Sequence, residues 1–267
     1  MNWKESVCLI TGASSGIGRA AALKIAERGG TVIAVARREE RLASLIEELG
    51  GPPHSYVVCD VGDLEQVRAM AKTVGERTDR LDVLINNAGV PSGGGLARSR
   101  PEDVERVVKV NLLGTIWCTQ ELLSLIDKAP REQGGPAIVN VASMAGRIPM
   151  PGSGVYTATK FGLVGFSEAI WGEMKNRGIR VMVLDPGFVH TEGFPMDELS
   201  ANPLTRGFVM DADRVAEALC LGIERGSSEV RVQWWWTPVY FLTVLGGPLR
   251  RRIAYLIAKH FTRGLKI

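Results

Sequence analysis

The chain has 267 residues, of which 45% are hydrophobic and 23% charged, and its formal net charge is +3. This composition is typical of a globular protein with a sizeable core and excludes a low-complexity chain. The four cysteines are scattered and include no CxxC pair, which predicts buried reduced thiols in a cytoplasmic protein. The three histidines are far from any cysteine cluster, so no metal site is expected. These residues are Cys8, Cys59, Cys118, Cys220, His54, His190 and His260.

Short apolar runs rich in β-branched residues alternate with helical patterns along most of the chain. Apolar residues at three- and four-residue spacing predict helices over Leu64–Arg77, Val104–Ile126 and Phe161–Lys175. Continuous apolar strands are typical of a parallel sheet that is buried on both faces. We therefore predict one α/β domain, in which helices cover both faces of a doubly wound parallel sheet of about seven strands. The seven runs are VCLIT at 7–11, TVIAVA at 31–36, SYVVCD at 55–60, LDVLINN at 81–87, AIVNVAS at 137–143, IRVMVLD at 179–185 and EVRVQWW at 229–235.

The first predicted strand leads into the sequence GASSGIG and then into an alanine-rich helix. Gly12, Gly16 and Gly18 therefore lie between the carboxyl end of a strand and the amino end of a helix. A helix start offers unpaired N–H groups and a positive dipole end to an anion, and glycine lets a pyrophosphate approach the backbone. A plain turn between strand and helix is the alternative, and the three glycines alone do not exclude it.

Tyr156 and Lys160 are four residues apart in a helical pattern, so their side chains share one helix face. The ammonium group is expected to lower the pKa of the phenol from about 10 toward neutrality, where general acid–base catalysis is most effective. Ser143, at the end of the fifth predicted strand, can stabilise the charge that develops on a substrate carbonyl oxygen. For an isolated YxxxK pattern, a surface pair on a helix is the alternative.

Several motifs taken together resemble the short-chain dehydrogenase/reductase family, whose cofactor loop has the pattern TGxxxGxG. The resemblance extends over most of the chain and implies a Rossmann-like fold with an active-site tetrad of Asn111, Ser143, Tyr156 and Lys160. It also implies that Lys160 bonds the nicotinamide ribose, that Asn111 holds a water for proton relay, and that Thr191 contacts the carboxamide. The matching segments are TGASSGIG at Thr11–Gly18, Asp60, NNAG at Asn86–Gly89, Asn111 in VKVNLLG, Ser143, YTATK at Tyr156–Lys160 and DPGFVHT at Asp185–Thr191.

The end of the second strand predicts which dinucleotide binds. An acid at this place bonds the ribose 2′-hydroxyl of NAD, whereas a base accommodates the 2′-phosphate of NADP. Ala36 stands where NAD-preferring relatives usually carry Asp, and Arg37 and Arg38 follow, so we predict NADP(H). The alternative is a solvated helix start, and Ser15 stands where many NADP-preferring relatives carry a base. The cofactor-binding residues that the resemblance implies are Gly12, Ser14, Ser15, Gly16, Ile17, Gly18, Arg37, Arg38, Asp60, Val61, Asn87, Ala88, Gly89, Tyr156, Lys160, Pro186, Gly187, Val189 and Thr191.

The chain is predicted to form a catalytic domain over residues 1–236, with a substrate-loop insertion near 191–210, and a C-terminal extension over residues 237–267. The uncharged stretch VQWWWTPVYFLTVLGGPL contains Pro and Gly residues that argue against a transmembrane helix. After Glu229 the chain carries seven basic and no acidic residues, and from Leu249 onward apolar residues share one helical face. This pattern favours either contact with a membrane surface or packing on the domain or on a partner subunit.

Together these features predict an NADP(H)-dependent oxidoreductase that interconverts a carbonyl and an alcohol. An apolar substrate of steroid, retinoid or long-chain type is expected. The resemblance also implies that an acyl-carrier-protein substrate is disfavoured, because family members with such substrates commonly end soon after their last strand. The alternatives are an NADP-binding sensor or a membrane-surface adaptor without significant turnover. We expect a cytoplasmic homodimer or homotetramer, with membrane association as an option. Nucleic-acid binding is not expected, because the basic residues cluster in an amphipathic tail.

Overall fold

The structure is a computed structural model that describes residues 1–92, 95–192, 194, 197, 201, 206–233 and 237–244. Seven parallel strands form one sheet in the order β3-β2-β1-β4-β5-β6-β9, and two short strands, β7 and β8, pair in parallel beside it. The strands are β1 Val7–Thr11, β2 Thr31–Ala36, β3 Ser55–Val58, β4 Val83–Asn86, β5 Ala137–Val141, β6 Arg180–Asp185, β7 Phe188–Val189, β8 Val209–Met210 and β9 Glu229–Arg231.

Helices connect the strands of the sheet, since parallel neighbours need a crossover connection. They are α1 Gly16–Glu27, α2 Glu39–Glu48, α3 Leu64–Arg77, α4 Pro101–Val108, α5 Gly114–Ile126, α6 Gly154–Asn176, α7 Ala212–Arg225 and α8 Thr237–Val244. A π-helical turn, Lys109–Leu113, joins α4 to α5, and a short 3-10 helix, Met144–Gly146, follows β5.

The hydrophobic core forms two layers, one on each face of the sheet. Side chains alternate between the two faces along each strand, so Ile85 packs with α1 and α7, whereas Leu84 packs with α3 and α5. All four cysteines are free and buried, as predicted. Within the described residues there is no cluster of three or more His, Cys, Asp or Glu side chains that could hold a metal ion.

The predicted α/β fold is confirmed, and each of the seven predicted runs contains one strand of the parallel sheet. Helix α3 has the predicted bounds. The segment Val104–Ile126, predicted as one helix, is divided by the π-helical turn at Lys109–Leu113. Such a turn inserts one residue into the helical repeat and shifts the later apolar positions by one residue, a change too small to separate from ordinary three- and four-residue spacing.

The segment predicted as the substrate loop, 191–210, is held at its base by the small β7–β8 sheet. Phe188 pairs with Val209 and Val189 with Met210, so Val209 and Met210 form a strand where a loop was expected. Strands of two residues are too short to produce an alternating pattern. The pairing brings the two ends of the segment together beside the carboxyl edge of the main sheet.

The C-terminal extension begins with α8. The guanidinium group of Arg231, the last residue of β9, lies 4.7 Å from the centre of the Tyr240 ring, a cation–π contact that holds this helix against the domain. None of the helices in the described ranges has the length and apolar character of a membrane span. The amphipathic pattern from Leu249 onward lies outside the described residues.

Candidate active site

A cavity of about 370 Å³ opens at the carboxyl edge of the sheet, where β1, β2, β4, β5 and β6 end. All the residues predicted for the site line this cavity except Gly18 and Asn111, which lie behind its wall. Several lining residues were not expected from the sequence. They are Cys59, Val90, Pro91, Val110, Val141 and Ala142. Glu192 and Phe194 also line the cavity, and they belong to the start of the segment predicted as the substrate loop, 191–210.

The glycine positions between β1 and the first turn of α1 leave no room for a side chain. Gly12 and Gly16 have φ of +69° and +56°, a region that glycine adopts without strain. A Cβ on Gly12 would lie 2.8 Å from the Cα of Ala88, and one on Gly18 would lie 2.5 Å from the carbonyl oxygen of Gly12. The loop therefore stays flat against the neighbouring strand end.

Hydrogen bonds fix this loop to the end of β4. The Thr11 hydroxyl accepts hydrogen bonds from the backbone N–H groups of Asn87 and Ala88, at 3.0 and 3.1 Å. The Asn87 amide donates back to the Thr11 carbonyl at 2.9 Å. Ser15 precedes α1 and makes no capping bond with its side chain. The first N–H groups of α1 therefore face the cavity without a side-chain cap, which suits them to an anionic ligand.

Three cationic or hydroxyl side chains surround the cavity where β2 ends. Arg38 donates from Nη2 to the hydroxyls of Ser14, at 3.1 Å, and Ser15, at 2.8 Å. A guanidinium group with two hydroxyls, next to an uncapped helix start, is a donor set that matches a phosphate. Arg37 instead lies 3.6 Å from the carboxylate of Asp60. The residues present thus fit a phosphorylated dinucleotide along this half of the cavity.

Ser143, Tyr156 and Lys160 converge at the other half of the cavity. Ser143 caps the 3-10 helix Met144–Gly146, where its hydroxyl accepts a hydrogen bond from the Ala145 N–H at 3.1 Å. Tyr156 and Lys160 come from the first turns of α6. Lys160 is buried, and its Nζ donates to the Val141 carbonyl at 2.8 Å. The Nζ also lies 5.7 Å from the centre of the Tyr156 ring.

The pKa of Tyr156 differs from the sequence-based expectation. Burial raises the pKa of Tyr156 to about 12, and a hydrogen bond with Ser143 opposes the rise. Burial also lowers the pKa of Lys160 to about 8, opposed by the Asp185 charge. The expected lowering of the tyrosine pKa by Lys160 is thus not found. The reason is that loss of solvent around the phenol disfavours its anion, whereas the Lys160 ammonium donates to the Val141 carbonyl.

Asn111 is fully buried in the π-helical turn and acts on the backbone of the neighbouring loop. Its Oδ1 accepts from the Val90 N–H at 2.8 Å, and its Nδ2 donates to the Val90 carbonyl at 2.9 Å. Nδ2 also lies 3.4 Å from the Thr159 hydroxyl. The side chain thereby holds the segment after the NNAG motif against α6.

A turn from Thr191 to Phe194 forms the outer wall of the cavity. The two residues exchange backbone hydrogen bonds of 3.3 and 3.0 Å. The Phe194 ring packs on the Tyr156 ring, with centroids 5.5 Å apart and planes at 59°, a favourable tilted geometry. An apolar ring therefore lies directly beside the phenol.

A buried ion pair lies behind the site. Asp185, which ends β6 and precedes Pro186, is fully buried, and its Oδ2 accepts from Arg147 Nε at 3.0 Å. Arg147 also contacts the carboxylates of Glu168, at 2.8 Å, and Glu229, at 3.4 Å. Because Arg147 closely follows Ser143, the pair ties the segment that carries the serine to the end of β6.

Comparisons with known proteins identify the family. A family model described as short chain dehydrogenase matches residues 6–198. The 3-oxoacyl-[acyl-carrier-protein] reductase FabG of Thermotoga maritima is 39% identical over 74% of this chain and 78% of its own length. Carbonyl reductase family member 4 of Xenopus tropicalis is 35% identical over 82% and 91%, and the 3beta-hydroxysteroid dehydrogenase of Mediterraneibacter gnavus is 34% identical over 74% and 70%.

Solved structures show the same fold. A short-chain dehydrogenase/reductase from Burkholderia phymatum in complex with NAD matches with a TM-score of 0.80, at 25% identity, over 91% of this chain and 94% of that one. A metagenomic short-chain oxidoreductase in complex with NADP matches with a TM-score of 0.70, at 27% identity, over 85% and 95%. The fold and these matches define an α/β oxidoreductase, and the two solved structures contain the nicotinamide dinucleotides NAD and NADP. The chain belongs to the short-chain dehydrogenase/reductase family.

Proposed function

We propose that this chain interconverts a carbonyl and an alcohol, with NADP(H) as the hydride carrier and an apolar compound as the substrate. The observation that carries the proposal is the single cavity that holds Ser143, Tyr156 and Lys160 at one end and Arg38 with Ser14 and Ser15 at the other. When bound, the nicotinamide group supplies or accepts the hydride. The proposed roles below belong to the side chains of this chain.

In the reducing direction, Tyr156 donates its proton to the carbonyl oxygen as hydride reaches the carbonyl carbon. With a pKa of about 12, the phenol keeps its proton at neutral pH and is available as the acid. The Ser143 hydroxyl stabilises the oxygen as negative charge develops on it. The Lys160 ammonium favours the tyrosinate left after proton transfer and bonds the ribose, whereas Asn111 positions the loop that carries Gly89 and Val90.

The cofactor half of the proposal rests on Arg38. We infer that this guanidinium group, with the Ser14 and Ser15 hydroxyls, binds the 2′-phosphate of NADP(H) next to the uncapped start of α1. The glycine loop, Asn87–Gly89 and the segment Pro186–Thr191 would hold the remainder of the dinucleotide. Relatives of known structure bind NAD as well as NADP, so the preference depends on the residues at this end of the cavity.

The substrate half rests on the apolar wall beside Tyr156. Phe194 packs on the Tyr156 ring. Four further apolar residues line the same cavity: Val90, Pro91, Val141 and Ala142. A steroid, retinoid or long acyl chain suits such surroundings better than a sugar does. The sequence disfavours an acyl-carrier-protein substrate, yet four of the relatives are named for that reaction. A 3-oxoacyl thioester therefore belongs among the test substrates.

Three further expectations stay predictions. They are the division into a domain over 1–236 and an extension over 237–267, assembly as a cytoplasmic homodimer or homotetramer, and contact with a membrane through the C-terminal tail. The contact between Arg231 and Tyr240 supports packing of the first part of the extension on the domain.

Turnover and cofactor preference can be tested in one experiment. NADPH and NADH oxidation would be measured against steroid, retinoid, long-chain, 3-oxoacyl-thioester and small polar carbonyls. We expect turnover of an apolar carbonyl with NADPH. Arg38→Ala should weaken NADPH binding about 10- to 100-fold, because a charge-assisted contact contributes about 1.5–3 kcal/mol, with little change for NADH.

Lys24→Ala serves as the matched control, because Lys24 pairs with Glu27 on α1 and does not line the cavity. Equal loss of NADPH and NADH affinity in Arg38→Ala would contradict the 2′-phosphate assignment. Tight NADPH binding without turnover of any carbonyl would favour a sensor instead of an enzyme.

The pKa of Lys160 gives a pH prediction. Its ammonium form is present below a pH of about 8 and is lost above it, whereas Tyr156 stays protonated throughout the measured range. We expect kcat/KM for NADPH, which reports the free enzyme, to fall about tenfold per pH unit above pH 8. The measurement covers pH 7 to 10 with a carbonyl that does not titrate, and circular dichroism at each pH checks the fold. A profile that is flat to pH 9.5 would contradict the role of the ammonium.

A further inference from the structure

Glu192 forms ion pairs with two arginines across the mouth of the cavity. Its Oε1 lies 2.9 Å from Arg38 Nη1, and its Oε2 accepts a hydrogen bond from Arg41 Nη1. Arg38 directly precedes α2 and Arg41 lies in its first turn, whereas Glu192 lies 154 residues further along the chain than Arg38. The carboxylate therefore connects the outer wall of the cavity to the end of β2.

The donors of Arg38 are divided between two kinds of acceptor. Nε and Nη2 contact the Ser14 and Ser15 hydroxyls, which belong to the glycine loop. Nη1 contacts the Glu192 carboxylate. A phosphate at this place would need the same guanidinium donors, and it carries the same sign of charge as the carboxylate. In a dinucleotide-binding sheet this place, at the end of the second strand, is where the ribose 2′ position lies.

We propose that Glu192 is a specificity-determining residue, an internal anion that competes with the cofactor 2′-phosphate for Arg38. This inference rests on the proposed NADP(H) function. Glu192 thus lowers the affinity for the phosphorylated dinucleotide without affecting the unphosphorylated one. When the phosphate displaces the carboxylate, Arg41 becomes a second cation available to it.

The surroundings of Glu192 support an ionised carboxylate. The hydrogen bond from Arg38 is the largest cause that lowers its pKa, and Arg41 acts in the same direction. The side chain is half exposed, so solvent screens both pairs and the competition is modest. The carboxylate can leave Arg38 without disturbing the core.

The test is the ratio of dissociation constants for NADPH and NADH in Glu192→Gln, measured by fluorescence titration at low ionic strength. We expect NADPH to bind about three- to fivefold more tightly than in the wild type, and NADH to bind unchanged. Glu192→Ala should shift the ratio in the same direction. The gain for NADPH should shrink at high salt, because exposed charges are screened there.

Glu40→Gln is the matched control, because it removes one acidic charge from the first turn of α2, where Arg41 also lies, and should leave the ratio unchanged. An unchanged ratio in Glu192→Gln, or an equal gain in Glu40→Gln, would overturn the inference even if the wild type prefers NADPH. A wild type without NADPH preference, whose Glu192→Gln variant acquires one, would support the competition and contradict the proposed cofactor. The two hypotheses can therefore fail separately.

Discussion

Replacing Tyr156 by phenylalanine is expected to lower kcat for carbonyl reduction by about 10²- to 10⁴-fold, the contribution that a positioned general acid makes. The substitution removes only the hydroxyl and keeps the ring that packs on Phe194. Because the phenol pKa of about 12 keeps the proton in place at neutral pH, the loss should persist from pH 6 to 8. Steady-state kinetics with the best apolar carbonyl would measure it.

Binding and stability separate a chemical role of Tyr156 from a structural one. NADPH should bind to Tyr156→Phe within about twofold of the wild type, and the thermal midpoint should stay within a few degrees, since only one hydroxyl is lost. Tyr56→Phe makes the same chemical change at an exposed hydroxyl that contacts Glu39 at 3.1 Å and should keep full activity. If Tyr156→Phe retained more than a tenth of the wild-type kcat, another group would have to be the acid.

The sheet could be predicted from the sequence because its strands are buried on both faces. Runs such as TVIAVA and IRVMVLD are almost continuously apolar, so they are easily distinguished from loops. Each of the seven runs contains one strand. The glycine loop and the YxxxK spacing also located the two halves of the cavity, since each is fixed by local backbone geometry. Local patterns were sufficient wherever the determining contacts are close in sequence.

Contacts between distant segments could not be predicted in this way. The pairs that Glu192 makes with Arg38 and Arg41 join segments about 150 residues apart, and neither segment has a pattern that specifies the other. The same applies to the pKa of Tyr156. The spacing to Lys160 was evident, but desolvation depends on Phe194 and on everything else that covers the phenol. The burial of the Tyr156 phenol depends on how distant segments pack in the folded chain, so the sequence pattern alone does not give it.

Arg147→Met is expected to destabilise the protein by about 3–5 kcal/mol at pH 8, the usual result of removing one partner from a buried ion pair. Asp185 is fully buried and would lose its principal cation, and its Oδ1 already makes no hydrogen bond with the described part of the chain. Urea unfolding followed by tryptophan fluorescence would measure the loss. Glu168→Gln, which removes an exposed partner of Arg147, should cost less than about 1 kcal/mol.

The pH dependence of this loss identifies Asp185 as its cause. Burial raises the pKa of Asp185 above its usual value, and Arg147 opposes the rise, so removing Arg147 should raise the folded-state pKa further. The folded variant then binds a proton more tightly than the unfolded chain does, and its stability falls as pH rises through the window above about pH 4. The deficit relative to the wild type should therefore be largest at pH 8 and smaller at pH 5.

Arg147→Met with Asp185→Asn provides the decisive comparison, because it removes both charges. We expect this double variant to recover most of the stability lost in Arg147→Met and to lose its additional pH dependence, since no buried carboxylate remains to titrate. An equal deficit at pH 5 and pH 8, or no recovery in the double variant, would mean that Arg147 stabilises the fold through packing of its long side chain. If both expected results are obtained, the main effect of Arg147 is to stabilise the buried carboxylate of Asp185, the residue that precedes Pro186 and Gly187 at the back of the active site.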